Sequence, residues 1–307
     1  MSGRPPLAIV GATASGKTEA ALALAEALDA EIVSVDSMLI YRGMDLGTAK
    51  PSSAERARVP HHLIDVAEPS EPFSVARFQE AASAALNEIR ARDRRVLLVG
   101  GSGLYFRAVV DELEFPGTDP DTRAELEREA AALGPAGMHE RLRALDPVAA
   151  GRIEPGNVRR TVRALEVPAI TGRPFSTFAK AWERYEASAV RAAGVRTSRE
   201  VLLARIRARI DAMLDAGWFD EVRSLVDKGF GGWLTSTQAI GYAEVARHLR
   251  GEMTRAEVVE ATVKRTGNLA RRQMAWFRRD PRIRWFDVGA AGAIEAYEPI
   301  RAFLEDE

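Results

Sequence analysis

The sequence predicts an α/β protein, a doubly wound parallel sheet interrupted by a small all-helical insertion. Three observations support this. Short β-rich runs alternate with alanine- and leucine-rich helical stretches at the start of the chain, a charged and strand-free stretch fills the middle, and strand character returns near the end. The 307 residues suffice for one large α/β domain with an insertion or for two domains of ordinary size. A hydrophobic fraction of 46% with 28% charged residues describes a globular chain with a real core.

Leu7-Ala8-Ile9-Val10 and residues 31–36 read as strands flanking a helix over residues 17–28, a βαβ unit. The spacing of Phe78, Ala81, Ala82, Ala85, Leu86 and Ile89 predicts a helix over 74–92. The apolar strand 95–99 follows and extends the parallel sheet. After Phe115-Pro116-Gly117 the character changes. Asp119 as N-cap and Pro120 at the first helical position open a charged helix towards Leu133, Gly134-Pro135 breaks it, and helices follow over 137–146 and 157–171. The core is therefore expected to be discontinuous, residues 1–117 and 191–307, around an insertion at 118–190. Ser198 caps a helix over 199–216 that Gly217 ends. Helices at 219–228, 239–250 and 255–278, a strand at 283–288 and a C-terminal helix complete the chain.

Composition excludes several chemistries. With no cysteine there are no disulfides, zinc fingers or thiol catalysis. No apolar run approaches the roughly 18 residues of a membrane span, and Met1 to Pro6 lacks the charged head and apolar body of a signal peptide. A cytoplasmic, monomeric protein is expected. The net charge of -1 hides an uneven distribution. Lys264, Arg265, Arg271, Arg272, Arg278, Arg279, Arg282 and Arg284 stand against the single acid Asp280, which fits either a phosphate-facing surface or a solvated helix face.

Gly11-Ala12-Thr13-Ala14-Ser15-Gly16-Lys17-Thr18 matches G-x-x-x-x-G-K-[ST] between a strand and a helix, so the expected sheet is P-loop NTPase-like. Its glycines let backbone N–H groups turn inward, and the helix N-terminus adds partial positive charge. Lys17 reaches phosphate oxygens and the Thr18 hydroxyl can ligate Mg²⁺. P-loop hydrolases need an acid at the end of an apolar strand. Here the strand at 95–99 runs into Gly100-Gly101-Ser102-Gly103, and no Asn-Lys-x-Asp segment is present, which disfavours a motor ATPase or GTPase. The carboxylate stands instead at Asp36, on the neighbouring strand, with three roles open to it: general base, metal ligand through water, or cap of the following turn.

The run Asp36-Ser37-Met38-Leu39-Ile40-Tyr41-Arg42-Gly43-Met44-Asp45-Leu46-Gly47-Thr48-Ala49-Lys50-Pro51 is more distinctive, with the P-loop before it and His61-His62-Leu63-Ile64-Asp65 after it. It resembles the bacterial tRNA dimethylallyltransferases, also called tRNA isopentenyltransferases. The similarity continues through Val99-Gly100-Gly101-Ser102-Gly103-Leu104-Tyr105, Arg160 to Val167, Thr171-Gly172-Arg173-Pro174, Gln238-Ala239-Ile240-Gly241-Tyr242 and Ala270-Arg271-Arg272-Gln273-Met274-Ala275-Trp276. It covers nearly the whole chain in family order.

The resemblance implies that dimethylallyl diphosphate, not ATP, places its diphosphate in the P-loop. N6 of an adenosine just 3′ of the tRNA anticodon attacks the allylic carbon, and diphosphate leaves. It assigns Asp36 as acceptor of the amine proton, Ser102 (threonine in many members) as a hydrogen-bonding group near the leaving oxygen, and Arg205 as neutraliser of diphosphate charge. Arg209, one helical turn on, either assists or makes a surface ion pair. The base must leave its stack to react. Asp36, Ser37, Met38, Leu39, Ser102, Arg123, Arg160, Thr161, Val162, Arg163, Ala164, Gln238, Gly241, Tyr242, Arg271, Arg272 and Gln273 are the implied tRNA contacts. Tyr41 and Tyr242 suit either stacking on a base or the core, while the adjacent His61 and His62 point to opposite sides of an extended chain and read as structural.

Two departures stand out. Glu154-Pro155-Gly156-Asn157 replaces a His-Pro-Asn-Asp segment, and Gly267-Asn268 follows Thr266 where relatives often carry an arginine, which removes one phosphate-directed cation. The rival readings are a P-loop small-molecule or nucleotide kinase and a non-catalytic RNA-binding protein. The joint presence of Lys17, Thr18 and Asp36 argues against the latter.

Overall fold

The computed structural model describes residues 4–111 and 113–306. Met1–Gly3, part of the segment read as free of a signal peptide, lie outside the described residues. Six strands form one sheet: β1 (Leu7–Gly11), β2 (Ala30–Ser34), β3 (His61–His62), β4 (Arg95–Gly100), β5 (Arg191–Arg196) and β6 (Ile283–Asp287). Their spatial order is β3-β2-β4-β1-β5-β6, and every neighbouring pair is parallel. Both faces are covered, as an all-parallel sheet requires. Leu7, Ile9, Ile32 and Leu97 share one apolar cluster, and their sequence neighbours Ala8, Val10, Val33 and Leu98 belong to the other.

The helices that cover the sheet are α1 (Lys17–Ala27), α2 (Ser53–Arg58), α3 (Val75–Ala91) and α4 (Gly103–Val110) from the first half. The insertion contributes α5 (Pro120–Leu145), α6 (Pro147–Ala150) and α7 (Val158–Thr171). After it come α8 (Arg199–Asp215), α9 (Trp218–Asp227), α10 (Tyr242–Leu249), α11 (Arg255–Phe277) and α12 (Tyr297–Glu305). Ser198 accepts from the Val201 N–H at 3.3 Å and Asp119 from the Thr122 N–H at 2.8 Å, so both expected N-caps are made. Several short elements escape sequence reading, namely β3, β5, α2, α4 and α6. β5 is built from Ala192, Ala193, Gly194 and Val195, without the β-branched run that marks a strand, because Gly194 faces the Trp285 ring of β6 so closely that a Cβ there would stand 2.7 Å from it. The short α4 follows its Gly-rich turn without a break in apolar character.

The chain divides into two compact units, residues 1–110 with 186–307, and residues 111–185. Local contacts place these boundaries a few residues before 118 and 190. Arg163 donates to the carbonyls of Pro116 and Gly117, and Arg173 pairs with Glu114 at 3.0 Å, tying 114–117 to the helical unit. Val190 is buried in the core of the sheet unit. The helical unit has its own core of Leu126, Met138, Leu142, Val162 and Leu165, and it kinks at Gly134, where φ is 70°. Of its buried carboxylates Asp146 and Glu166, Glu166 takes hydrogen bonds from Arg123 and Arg163. Burial opposes its ionisation, yet the two guanidinium groups outweigh burial and hold the carboxyl below its ordinary value.

In the sheet unit, Trp218 on α9 is fully buried, and Gly241 adopts φ +91° against it. A Cβ on Gly241 would stand 2.2 Å from the Trp218 ring. Gly241→Ala is therefore expected to destabilise the sheet unit by about 2–4 kcal/mol, from overpacking and a left-handed backbone together. Urea unfolding followed by Trp fluorescence checks this, and a shift in midpoint below half that size would mean the ring can move aside.

Candidate active site

β1 delivers the chain at Gly11 into a loop whose residues Ala14 (φ 62°) and Gly16 (φ 82°) turn the backbone inward before α1 starts at Lys17. The loop is held on three sides by cations. Lys17 Nζ donates to the Ala12 carbonyl at 2.5 Å and to Ser15 Oγ at 3.3 Å. From α8, Arg205 Nε donates to the Ala14 carbonyl at 2.8 Å and its Nη1 to the Ala290 carbonyl at 2.5 Å. One turn on, Arg209 Nη2 donates to Thr13 Oγ1 at 2.8 Å. Neither arginine pairs with a carboxylate among the described residues, so the surface ion pair weighed for Arg209 is not made.

These groups line a cavity of about 360 Å³ together with Thr18 and Asp36. Ile32, Leu39, Ala49, Pro51, Ile64 and Val99 form an apolar part of its wall, beside the polar Glu19, Ser34, Thr48, Lys50, Glu55, His61 and Gln273. A concave site with three converging cations and turned-in N–H groups suits a diphosphate, and its apolar wall suits a short hydrocarbon attached to it.

Asp36 lies two residues past the end of β2 rather than on the strand, where its Oδ1 accepts the Met38 N–H at 2.8 Å. It thus caps the turn and lines the cavity at once, with its remaining lone pairs available for a second task. Ser102 opens α4, its Oγ 3.5 Å from the Tyr105 N–H. Gly100 and Gly101, rather than Ser102, are the cavity-lining members of that turn. His61 and His62 are each held by a hydrogen bond within the fold, and His61 also lines the cavity. His61 Nδ1 meets the Val59 carbonyl at 2.7 Å and His62 Nε2 meets Glu31 at 2.6 Å, and no cluster of three or more potential metal ligands exists among the described residues.

Glu221 is not singled out by the sequence. Its carboxylate, reaching from α9, accepts the N–H groups of Asp45 (2.9 Å), Leu46 (2.7 Å) and Gly47 (3.3 Å) and the Tyr242 hydroxyl (2.7 Å). The side chain of Lys50 is buried among the Tyr41 carbonyl, Asp45 and Asp65 at 2.5–2.7 Å. Together they fix residues 48–51, which wall the cavity. Periodicity placed Glu221 on a helix, but nothing local marks a carboxylate as the acceptor for a loop 175 residues away.

Comparison with known proteins agrees with this geometry. The family model described as IPP transferase matches residues 39–280. A tRNA dimethylallyltransferase of Nocardioides sp. is 52% identical over 291 residues, 95% of this chain and 94% of the relative. The chain belongs to the tRNA dimethylallyltransferase family. The crystal structure of the tRNA isopentenylpyrophosphate transferase from Bacillus halodurans superposes with a TM-score of 0.71 at 39% identity, over 99% of this chain and 98% of that one. The corresponding transferase from Staphylococcus epidermidis does so with 0.66 at 32% identity, over 98% and 97%.

For this tRNA dimethylallyltransferase family member, the structure sorts the residues expected to face tRNA. Arg160, Arg271 and Arg272 are exposed, as is Gln238, and Ser37, Met38 and Leu39 are half-buried. The expectation is corrected for Thr161, Val162, Ala164 and Tyr242. They are 0–2% exposed, and contact with a partner would require unpacking a core. Tyr41 is likewise core, its hydroxyl donating to Thr235 at 2.6 Å. Arg123 and Arg163 are engaged with Glu166, and Gly241 packs on Trp218. Gln273 is also reassigned. It is buried, its Oε1 accepts the Thr13 N–H at 2.8 Å, and it lines the cavity rather than the outer face of α11. Of the basic segment, Arg265 pairs with Glu244, Arg282 is buried with Asp280, and Arg284 lies over Phe286 and Phe303. Lys264, Arg271, Arg272, Arg278 and Arg279 are exposed.

Burial, with Arg209 adding to it and Asp36 opposing, lowers the Lys17 pKa to about 7 in the free protein. An anion between Lys17 and Arg209 reverses the balance, so binding above pH 7 takes up a proton. Affinity for a diphosphate monoester, whose own last ionisation is complete there, should fall about tenfold from pH 8 to pH 9. Calorimetry in buffers of different ionisation enthalpy should show the proton uptake. Lys17→Arg should flatten the slope, and a wild-type affinity independent of pH in this range would refute the assignment.

Proposed function

We propose that the chain transfers the dimethylallyl group of dimethylallyl diphosphate to N6 of the adenosine immediately 3′ of the anticodon in tRNA, releasing diphosphate. The observation that carries this reading is the cavity itself: Lys17, Arg205 and Arg209 surround a P-loop, and no carboxylate ends β4 to activate water. A leaving diphosphate needs cations where charge develops, and it needs no hydrolytic base.

The N6 lone pair attacks C1 of the prenyl group, the C1–O bond breaks, and its electron pair leaves with the diphosphate. Arg205 and Arg209, both anchored to P-loop atoms, take up the developing charge without reorganising. Asp36, at the cavity wall, accepts the N6 proton through the oxygen that the Met38 N–H leaves unused. Gln273 holds the Thr13 amide, and with it the shape of the loop.

Magnesium fits the residues present. The exposed Thr18 lines the cavity, and its hydroxyl is an oxygen ligand of the kind Mg²⁺ takes beside phosphates and water. When bound, it neutralises charge on the diphosphate.

On the RNA side, Arg271 and Arg272 on α11 and Arg160 on the helical unit carry the exposed charge that phosphate contact requires. The helical insertion, residues 118–190 by the sequence reading, is proposed to contact the anticodon stem-loop, with the protein acting as a monomer.

Incubation with an unmodified anticodon stem-loop containing consecutive adenosines, dimethylallyl diphosphate and Mg²⁺ should raise the RNA mass by one prenyl group. ATP-dependent phosphorylation of an acceptor without that gain would point to a kinase instead. Asp36→Ala should abolish turnover while diphosphate affinity stays within about twofold, and retained turnover would remove Asp36 from proton transfer. Arg271→Ala should weaken RNA binding and lower the slope of log affinity against log salt by roughly one. An unchanged slope would exclude a phosphate contact there.

A further inference from the structure

Between β6 and α12 the chain turns back and packs against the P-loop. The Ala293 N–H donates to the Ser15 carbonyl at 3.0 Å, and Arg205 Nη1 donates to the Ala290 carbonyl at 2.5 Å. The fit is close. A Cβ at Gly292 would stand 2.9 Å from the Ser15 carbonyl oxygen and from both terminal nitrogens of Arg205. The reaction described above gives this loop no task.

Glu295, in the short helical turn Ala293–Ala296, holds the loop with an exposed side chain. Its Oε2 accepts the Gly289 N–H and its Oε1 the Ala291 N–H, each at 2.6 Å. The N–H of Ala291 and the C=O of Ala290 belong to one planar trans peptide group and point in opposite directions. Glu295 therefore grips one end of the peptide group whose other end grips Arg205. Carboxylate, peptide and guanidinium form a row of two hydrogen bonds with a charge at each end, and in such a row each bond polarises and strengthens the other. The same two amides hold the Glu295 carboxyl below its ordinary value, so it carries its charge at neutral pH.

The indirect contact suits an anion site. Arg205 Nε is spent on the Ala14 carbonyl and one Nη1 hydrogen on Ala290. Nη2 makes no hydrogen bond among the described residues and lies beside Gly16 of the P-loop, where a Cβ would stand 3.0 Å from it. A carboxylate forked directly onto the guanidinium would occupy the hydrogens that a diphosphate needs. Set back by one peptide group, it orients the cation and leaves Nη2 to the anion.

We propose that Glu295 is a positioning residue for the leaving diphosphate: through the Ala290–Ala291 peptide group it fixes Arg205 with Nη2 turned to the anion. This rests on the diphosphate reading of the cavity.

The test is a double-substitution cycle on the full chain, read by calorimetric binding of inorganic diphosphate. Lys17 and Arg209 keep binding measurable when Arg205 is removed. Glu295→Ala should weaken binding about tenfold in the wild-type background. With Arg205→Ala already present, the same change should cost less than about twofold. Glu295→Gln, which keeps one acceptor oxygen, should lose about threefold and no more. Should Glu295→Ala fold poorly, Glu295→Gln carries the same cycle and the comparison of backgrounds decides. An equal loss in both backgrounds would overturn the proposal, because the loop would then act on the P-loop through Ser15 and not through Arg205. Unchanged affinity in Glu295→Ala would overturn it as well. Failure of the wild type to bind diphosphate at all would instead defeat the functional reading on which it rests.

Discussion

Lys17, Arg205 and Arg209 share the space around one turn of backbone, with Asp36 as the carboxylate that acts on two of them. Three like charges at such separations repel, and burial lowers the pKa of both Lys17 and Arg209. The surroundings are organised to hold them there. Carbonyls of Ala12, Ala14 and Ala290 and hydroxyls of Thr13 and Ser15 accept their hydrogens. The loop that supplies Ala290 is itself tied by Glu295, which accepts the N–H groups of Gly289 and Ala291 at 2.6 Å. The backbone between Ser15 and Ala293 closes the ring with a 3.0 Å hydrogen bond. A site built this way is prepared for an anion before the anion arrives, which is the condition for electrostatic catalysis of diphosphate departure.

Much of the sheet was legible because parallel strands buried on both faces must be apolar throughout, as at Leu7 to Gly11 and Arg95 to Gly100. β5 was not, since small residues beside the Trp285 ring leave no β-branched signature. The P-loop and Asp36 were legible because their chemistry is local in sequence. Glu221 and Gln273 act across the fold, and the sequence could not say which loop a helix carboxylate holds or which side of α11 faces the P-loop. The family resemblance marked segments and not which side chains within them are accessible. Thr161, Val162 and Ala164 share a helix with exposed Arg160, and a helix that lends one face to a partner must bury another.

The same division of labour runs along α11. Gln273 turns inward to the Thr13 amide, while Arg271 and Arg272 stand in solvent one and two residues away. One rigid element thus connects the diphosphate site to the charges proposed to meet RNA. Donor and acceptor need not share any loop for their positions to be fixed relative to each other within the sheet unit.

If the cavity grips a leaving group, RNA and not water supplies the nucleophile. The most direct measurement follows oxygen through the reaction in water enriched with heavy oxygen. Diphosphate should be free of solvent oxygen and released in equal amount to prenylated RNA. Diphosphate or phosphate carrying solvent oxygen, formed whether or not RNA is present, would show a hydrolase and contradict it.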